Sequence, residues 1–491
     1  MTVFSLPYPL ANASRHSIML QGPGREKPVN IDMTRGKPLG LIIRFSIPML
    51  IGGVFQQFYN IIDMLIVGNV NGSRDLAAIG ATSSANFFIL SITLGITVAF
   101  SVVVAQHFGA NNLRMVRKAF VSSIYITAAC TVGLALVGIF GARPLMKLLQ
   151  TPEDIIDSSV IYIQVCMGGG IGLLVYNGAS SVLRGIGDSR SPLYFLILSS
   201  ILNVILDLLF VITFGMGVKG VAIATVISQI ISAAVCVWYM LRRYSFFRVR
   251  REDFAPSRTT IATILKIGLS MGLQAVFLSI GDMVVTSLVN TYGTNVVAAY
   301  ATGNRVQQMA TLLYFLLSES FAVYAGQNLG AREIGRIRSG FNNVVLIVLG
   351  MSILSAVVVF FFGDSLVRWF ISDSDPHIGD IVAIALGMLR ISSLFYPFLG
   401  LILLYNNTLR GMGEVLTPIV SGVMELWGKI GLSILLGAYY GYVGVWFAIP
   451  VGWVFGVIPV MWRYHRGGWE KQAGKITNAD SVRYMSERFL K

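Results

Sequence analysis

Twelve long apolar runs, separated by short polar connections, leave this chain few folds to choose from. They cover about 39–67, 77–105, 118–140, 157–182, 192–214, 220–241, 261–289, 297–325, 341–362, 379–409, 415–437 and 442–462. Each reaches the roughly 20 residues that carry a helix across a bilayer. The runs are continuous rather than alternating every second residue, which argues against a transmembrane barrel. Charged residues make up only 12% of the chain, against about 25% in a soluble domain. The expected fold class is an all-α polytopic membrane protein with twelve transmembrane helices.

The net charge of +14 does not point to nucleic acid, because the basic residues sit in short connections on alternate sides of the runs. The N-terminal stretch holds Arg15, Arg25, Lys27, Arg35 and Lys37. The even-numbered connections hold Arg114, Arg117, Arg184, Arg190, Arg242, Arg332, Arg336 and Arg410, among others. Positive loops stay in the cytoplasm, so both termini are expected there, which an even helix count requires. Residues 1–38 lack the apolar core of a signal peptide and read as a cytoplasmic tail or short surface helix. Residues 465–491 read as a second tail. The expected location is the cytoplasmic (inner) membrane of a bacterium. Cys130, Cys166 and Cys236 lie inside apolar runs and read as small buried hydrophobes.

The chain repeats itself. Gln106-His107-Phe108-Gly109-Ala110 returns as Gln327-Asn328-Leu329-Gly330-Ala331, 221 residues later. Leu183-Arg184-Gly185-Ile186-Gly187-Asp188 returns as Leu409-Arg410-Gly411-Met412-Gly413-Glu414 at an offset of 226, and Gly217, Gly220 and Val221 return as Gly441, Gly444 and Val445 at 224. Repeats with an even number of spans are parallel, related by an axis along the membrane normal. Two six-helix lobes follow, 39–241 and 261–464, joined by a basic cytoplasmic linker at 242–260. Substrate is expected between the lobes, which would rock to give alternating access. Gly168, Gly169, Gly170 and Gly172 in the fourth run suit close packing and a bend.

Polar side chains within the runs mark where chemistry would sit. Gln56, Tyr59 and Asp63 share one face of the first helix at i, i+3 and i+7, and ionisable groups in membrane helices by default mark functional sites. Asn203 and Asp207 lie one turn apart in the outer half of the fifth run, and Thr225 lies within two turns of the start of the sixth. These four groups, Asp63, Asn203, Asp207 and Thr225, are expected to converge in the first lobe. Their oxygens suit a hard cation, and paired carboxylates in low dielectric can equally hold a proton. Gln56, Tyr59, Asn177, Met271 and Glu319 are expected to face the substrate cavity, within walls rich in Met and aromatics such as Phe55, Tyr176, Phe277, Tyr314, Tyr396 and Tyr405. Asp282, Arg390, Glu425 and Lys429 in the second lobe read mainly as mutually neutralising charges, with Glu425 and Lys429 one turn apart.

On these motifs the chain resembles the multidrug and toxic compound extrusion (MATE) family. The resemblance covers about residues 38–464. It rests on Pro48…Gln56…Asp63…Val67-Gly68 followed by Leu76-Ala77-Ala78, on Gln106…Gly109-Ala110 and its repeat, and on both Leu-Arg-Gly-x-Gly-Asp/Glu turns. It implies a V-shaped, two-lobed antiporter that exports amphipathic or cationic small molecules against H⁺ or Na⁺, with Asp63, Asn203, Asp207 and Thr225 as its cation site. The early seventh run, Gly268 to Phe277, lacks the acid some members carry there, so coupling is expected in the first lobe. A monomer is expected, with membrane lipids as its surroundings, no cofactor beyond the coupling ion and no nucleic-acid partner. The rival reading is a flippase for a lipid-linked or polysaccharide precursor. No nucleotide-binding, metal or nucleophile motif suggests an enzyme.

Overall fold

A computed structural model describes residues 31–71, 73–149, 151–249, 251–371 and 377–470, without the side chains of 60–61, 63–77, 83–85, 87 and 88. The first lobe consists of α1 (Pro38–Asn71), α2 (Ser73–Gly109), α3 (Leu113–Leu148), α4 (Glu153–Gly168), α5 (Ile171–Gly185), α6 (Arg190–Asp207) and α7 (Gly217–Arg243). The second consists of α8 (Arg258–Asn290), α9 (Thr294–Gly330), α10 (Ile334–Arg368), α11 (Ile378–Leu394), α12 (Tyr396–Gly411) and α13 (Leu416–Arg466). All twelve expected spans are accounted for. α4 and α5 form one span bent by 45°, and α11 and α12 form another bent by 54°. α13 is two spans joined at Gly441, whose φ of +60° breaks the helix. Its halves run antiparallel, because a Cβ on Gly456 would meet Glu425 and one on Gly444 would meet the Leu436 carbonyl.

The glycine run in the fourth span acts in both of its expected ways. The helix breaks at Gly169–Gly170. Just past the break, a Cβ on Gly172 would lie 2.7 Å from the Ile230 backbone nitrogen of α7, so only hydrogen fits between those backbones.

The lobes meet along α2 and α8, and along α1 and α9. Glycine sets the approach. A Cβ on Gly95 would lie 2.8 Å from the Gly272 nitrogen, and one on Gly53 would lie 2.3 Å from a Leu316 methyl. The closest crossing is at the end that carries Arg114, Arg184, Arg332 and Arg410. There a Cβ on Gly109 would fall 1.9 Å from the Gln327 carbonyl oxygen, and one on Gly330 would fall 1.9 Å from that of Gln106. The repeated Gln-x-x-Gly-Ala motif is thus a reciprocal crossing of α2 over α9. The same glutamines tie the lobes: Gln106 Nε2 donates to the Gly411 carbonyl at 2.9 Å, and Gln327 Nε2 donates to the Gly185 carbonyl at 2.9 Å. One pseudo-twofold pair of bonds therefore closes this basic end.

Residues 31–37 reinforce the closure, which the reading of 1–38 as a tail did not anticipate. Met33 is wholly buried. The Ile31 N–H donates to the Gly187 carbonyl of the first lobe. The Met33 N–H donates to Gln327 Oε1 of the second lobe at 3.1 Å. Asn328 and Arg336 donate to the Met33 carbonyl, and Arg336 also reaches Gly36. The segment is a strap laid across both lobes where they touch.

Candidate functional site

Asp207 is the last residue of α6 and is fully buried. The chain continues from it as a π-helical turn, Leu208–Thr213, which shifts the register of the helix at that point. Such turns cluster at functional sites, and no sequence pattern announced this one. Asn203, one turn earlier, is 1% exposed. Across from it on α7 stands Thr225.

The Asn203 amide mediates between the other two. Its nitrogen donates to Asp207 Oδ2 at 2.8 Å and its oxygen accepts from the Thr225 hydroxyl and backbone N–H, each at 3.2 Å, the orientation in which every donor faces an acceptor. The structure therefore brings Asn203, Asp207 and Thr225 together. The side chain of Asp63 lies outside the described residues; its helix, α1, runs beside α6 and touches both the π-helical turn and α7.

The cavity candidates are more scattered. Gln56 is exposed and Tyr59 half-buried on α1. Asn177 turns its amide nitrogen to the Leu173 carbonyl of its own helix. Met271 packs on the first lobe's largest apolar cluster, from its place on α8. Glu319 stands 3.8 Å from Arg184 of the other lobe, each about one-fifth exposed, so its charge is met by an arginine at the lobe interface. Of the aromatic wall, Tyr314, Tyr396 and Tyr405 are buried in the second lobe's core. Lys429 pairs with Asp282 of α8 rather than with Glu425 alone. Arg390 stacks on Phe360 at 5.4 Å.

A family model, MatE, matches residues 48–209 and 271–435. The chain belongs to the MatE family. Among curated relatives, it is 30% identical over 441 residues, 89% of this chain and 97% of the other, to the probable multidrug resistance protein YpnP of Bacillus subtilis. It is 26% identical to YoeA of the same organism, described in the same words, over 87% of this chain and 93% of the other. A solved structure described as the outward-facing conformation of a multidrug resistance MATE family transporter superposes with a TM-score of 0.83 at 23% identity, covering 92% of this chain and all of that one. This MatE protein is a multi-pass membrane transporter and not an enzyme.

Proposed function

We propose that this MatE transporter is an antiporter that exports amphipathic or cationic small molecules, driven by inward movement of H⁺ or Na⁺ through the first lobe. The observation that carries this reading is the buried carboxylate of Asp207, linked through the buried Asn203 amide to Thr225. A carboxylate charge buried in low dielectric is costly even where neutral dipoles meet it. A proton or Na⁺ arriving from outside relieves that cost, with the oxygens of Asn203 and Thr225 close by to complete a cation's shell. Asp63, on the neighbouring α1, supplies the second acid of this set. Loading the site then biases one lobe arrangement over the other, which is all that coupling requires.

The closed basic end supports assigning this state as open to the outside, with the basic loops in the cytoplasm. Export then needs the strap, the Gln106 and Gln327 bonds and the Arg184–Glu319 pair to part, so that substrate enters from the cytoplasm. The names of the curated relatives support a drug-like cargo.

The test is ethidium efflux from cells expressing the wild type or Asp207→Asn, under an imposed pH gradient and, separately, a Na⁺ gradient. Asn fills the same volume and cannot take up the charge or the proton. Wild-type export under one gradient and none by the variant, at equal amounts of folded protein, is the expected result. Full export by Asp207→Asn would remove the site from the mechanism.

A further inference from the structure

A second site, unconnected with transport chemistry, lies on the outer surface of the first lobe. The linker between lobes does not hang free. Its two 3-10 turns, Ser245–Phe247 and Arg251–Phe254, fold back against the start of α3 and the end of α7. Between them and the helices is a groove of about 540 Å³, whose walls include Phe120, Trp238, Phe247, Phe254, Arg242 and Arg248.

Its depth in the membrane follows from helix geometry. Phe120 lies seven residues into α3 and Trp238 five residues from the end of α7, so at 1.5 Å per residue the apolar floor reaches roughly 10 Å below the helix ends. Trp238 is 58% exposed, as a tryptophan of the interfacial belt would be. The two arginines stand at the polar end. The Arg242 guanidinium lies over the Trp238 ring, 5.2 Å from its centre, and Arg248 reaches the Leu241 carbonyl at 3.5 Å. Both are exposed, and neither forms an ion pair among the described residues. The acids nearby are Glu252, which is exposed, and Asp253, which is already met by Arg117 at 3.4 Å. Arg243 and Arg251 add further positive charge at the same level.

A groove with an apolar floor inside the bilayer and unmatched guanidinium groups at the water boundary has the two halves of one ligand. Acyl chains fill the floor, and a phosphate diester meets the arginines, which bind phosphate oxygens in pairs. Basic pockets at this level between membrane helices select anionic headgroups. We infer that this groove binds an anionic diacyl phospholipid in preference to a zwitterionic one. The molecule carries its own comparison. A second groove of about 310 Å³, between α9 and α10, is lined from Val306 to Phe370 without a single charged side chain, and should take acyl chains without headgroup preference.

The experiment is native mass spectrometry of the full chain in detergent, titrated with dioleoyl phosphatidylglycerol or dioleoyl phosphatidylcholine. Two arginines, each contributing about fivefold, predict a preference of roughly 10- to 30-fold for phosphatidylglycerol at one site. Arg242→Gln with Arg248→Gln should reduce that to within about twofold while leaving phosphatidylcholine adducts unchanged. Equal affinity of the wild type for both lipids overturns the inference, and this needs no variant. So does a preference that survives the double substitution. Soluble glycerol phosphate is added as a competitor; if it displaces the lipid at comparable concentration, the acyl groove contributes nothing and the inference fails.

Discussion

Replacing Gln327 by alanine should open the basic end of the molecule. The side chain makes two buried bonds: its oxygen accepts from the Met33 N–H at 3.1 Å and its nitrogen donates to the Gly185 carbonyl at 2.9 Å. Truncation leaves a backbone donor and a backbone acceptor without those partners in the closed state. Each such loss costs about 1–3 kcal/mol. When the lobes part, water reaches both groups, so the penalty falls on the closed state alone. Because a water molecule can enter the space left by the side chain, the low end is the appropriate figure, about 2 kcal/mol in all. At 1.4 kcal/mol per tenfold, the closed-to-open ratio falls by roughly 25-fold. Spin labels at Arg114→Cys and Ser339→Cys, both exposed at the basic ends of the two lobes, report the change in a background without Cys130, Cys166 and Cys236. Gln327→Ala should add a longer-distance population that is minor or absent in the wild type. Gln106→Ala, which loses only the bond to Gly411, should add less of it. An unchanged distance distribution together with a lowered melting temperature would refute the reasoning, because it would mean that these bonds hold the fold together and not the gate.

Two further substitutions probe the repeated motifs. Gly330→Ala would set a Cβ 1.9 Å from the Gln106 carbonyl oxygen, a backbone atom that cannot swing aside. Overpacking of about 1–3 kcal/mol should give the same longer-distance population, whereas Gly335→Ala, with open space around it, should not. Asp188→Ala removes the acceptor for the Arg190 and Ser191 N–H groups, the Ser191 hydroxyl and the Tyr244 phenol. Burial, and the Asp188 charge beside it, push the Tyr244 phenol well above its ordinary range, so it remains a donor throughout the working pH range. Leaving these donors unmatched should cost about 3–5 kcal/mol, read as a large fall in detergent melting temperature, with Asp188→Asn falling less.

The spans were legible because membrane helices announce themselves by length and hydropathy, and the repeat was legible because its motifs do mechanical work. Gly187 and Gly413 take φ of +88° and +80° to turn the chain out of its helix. Gly109 and Gly330 are the points of closest backbone approach. The grouping of Asn203, Asp207 and Thr225 was legible from their depth along two adjacent helices. Three features were hidden. The π-helical turn after Asp207 depends on packing and has no residue signature. Burial of Ile31 and Met33 depends on partners far along the chain, Gly187 and Gln327, and two apolar residues beside Asp32 look like any polar tail. The partner of Glu319 is Arg184 in the other lobe, a meeting that only the lobe arrangement decides. Three of the candidate wall aromatics, Tyr314, Tyr396 and Tyr405, are core residues for a related reason. Tyrosine occurs wherever helices pack, and Tyr314 and Tyr396 fill core space.

The lobes share a topology but differ in charge, and the difference bears on where the proposed antiport would hold its coupling cation. In the second lobe, Asp282 is met by Lys429, a full positive charge tethered to α13. A proton or Na⁺ brought to Asp282 must displace that ammonium or endure its repulsion. In the first lobe, Asp207 is met by the neutral Asn203 amide, itself held by Thr225, so an arriving cation has no resident positive charge to displace among these partners. Coupling through the first lobe therefore makes a specific demand on the second. Lys429 also faces the buried Glu425 one turn away, so replacing Asp282 by Asn, Glu425 by Gln and Lys429 by Gln together removes the cluster without leaving one of its charges unpartnered. Gradient-driven ethidium export by this triple variant should stay within about twofold of wild type, a change of under 1 kcal/mol in the rate-limiting barrier. Loss of export at an undiminished melting temperature would instead make the Asp282–Lys429–Glu425 cluster part of the coupling machinery, with the lysine as the group whose release the incoming cation drives.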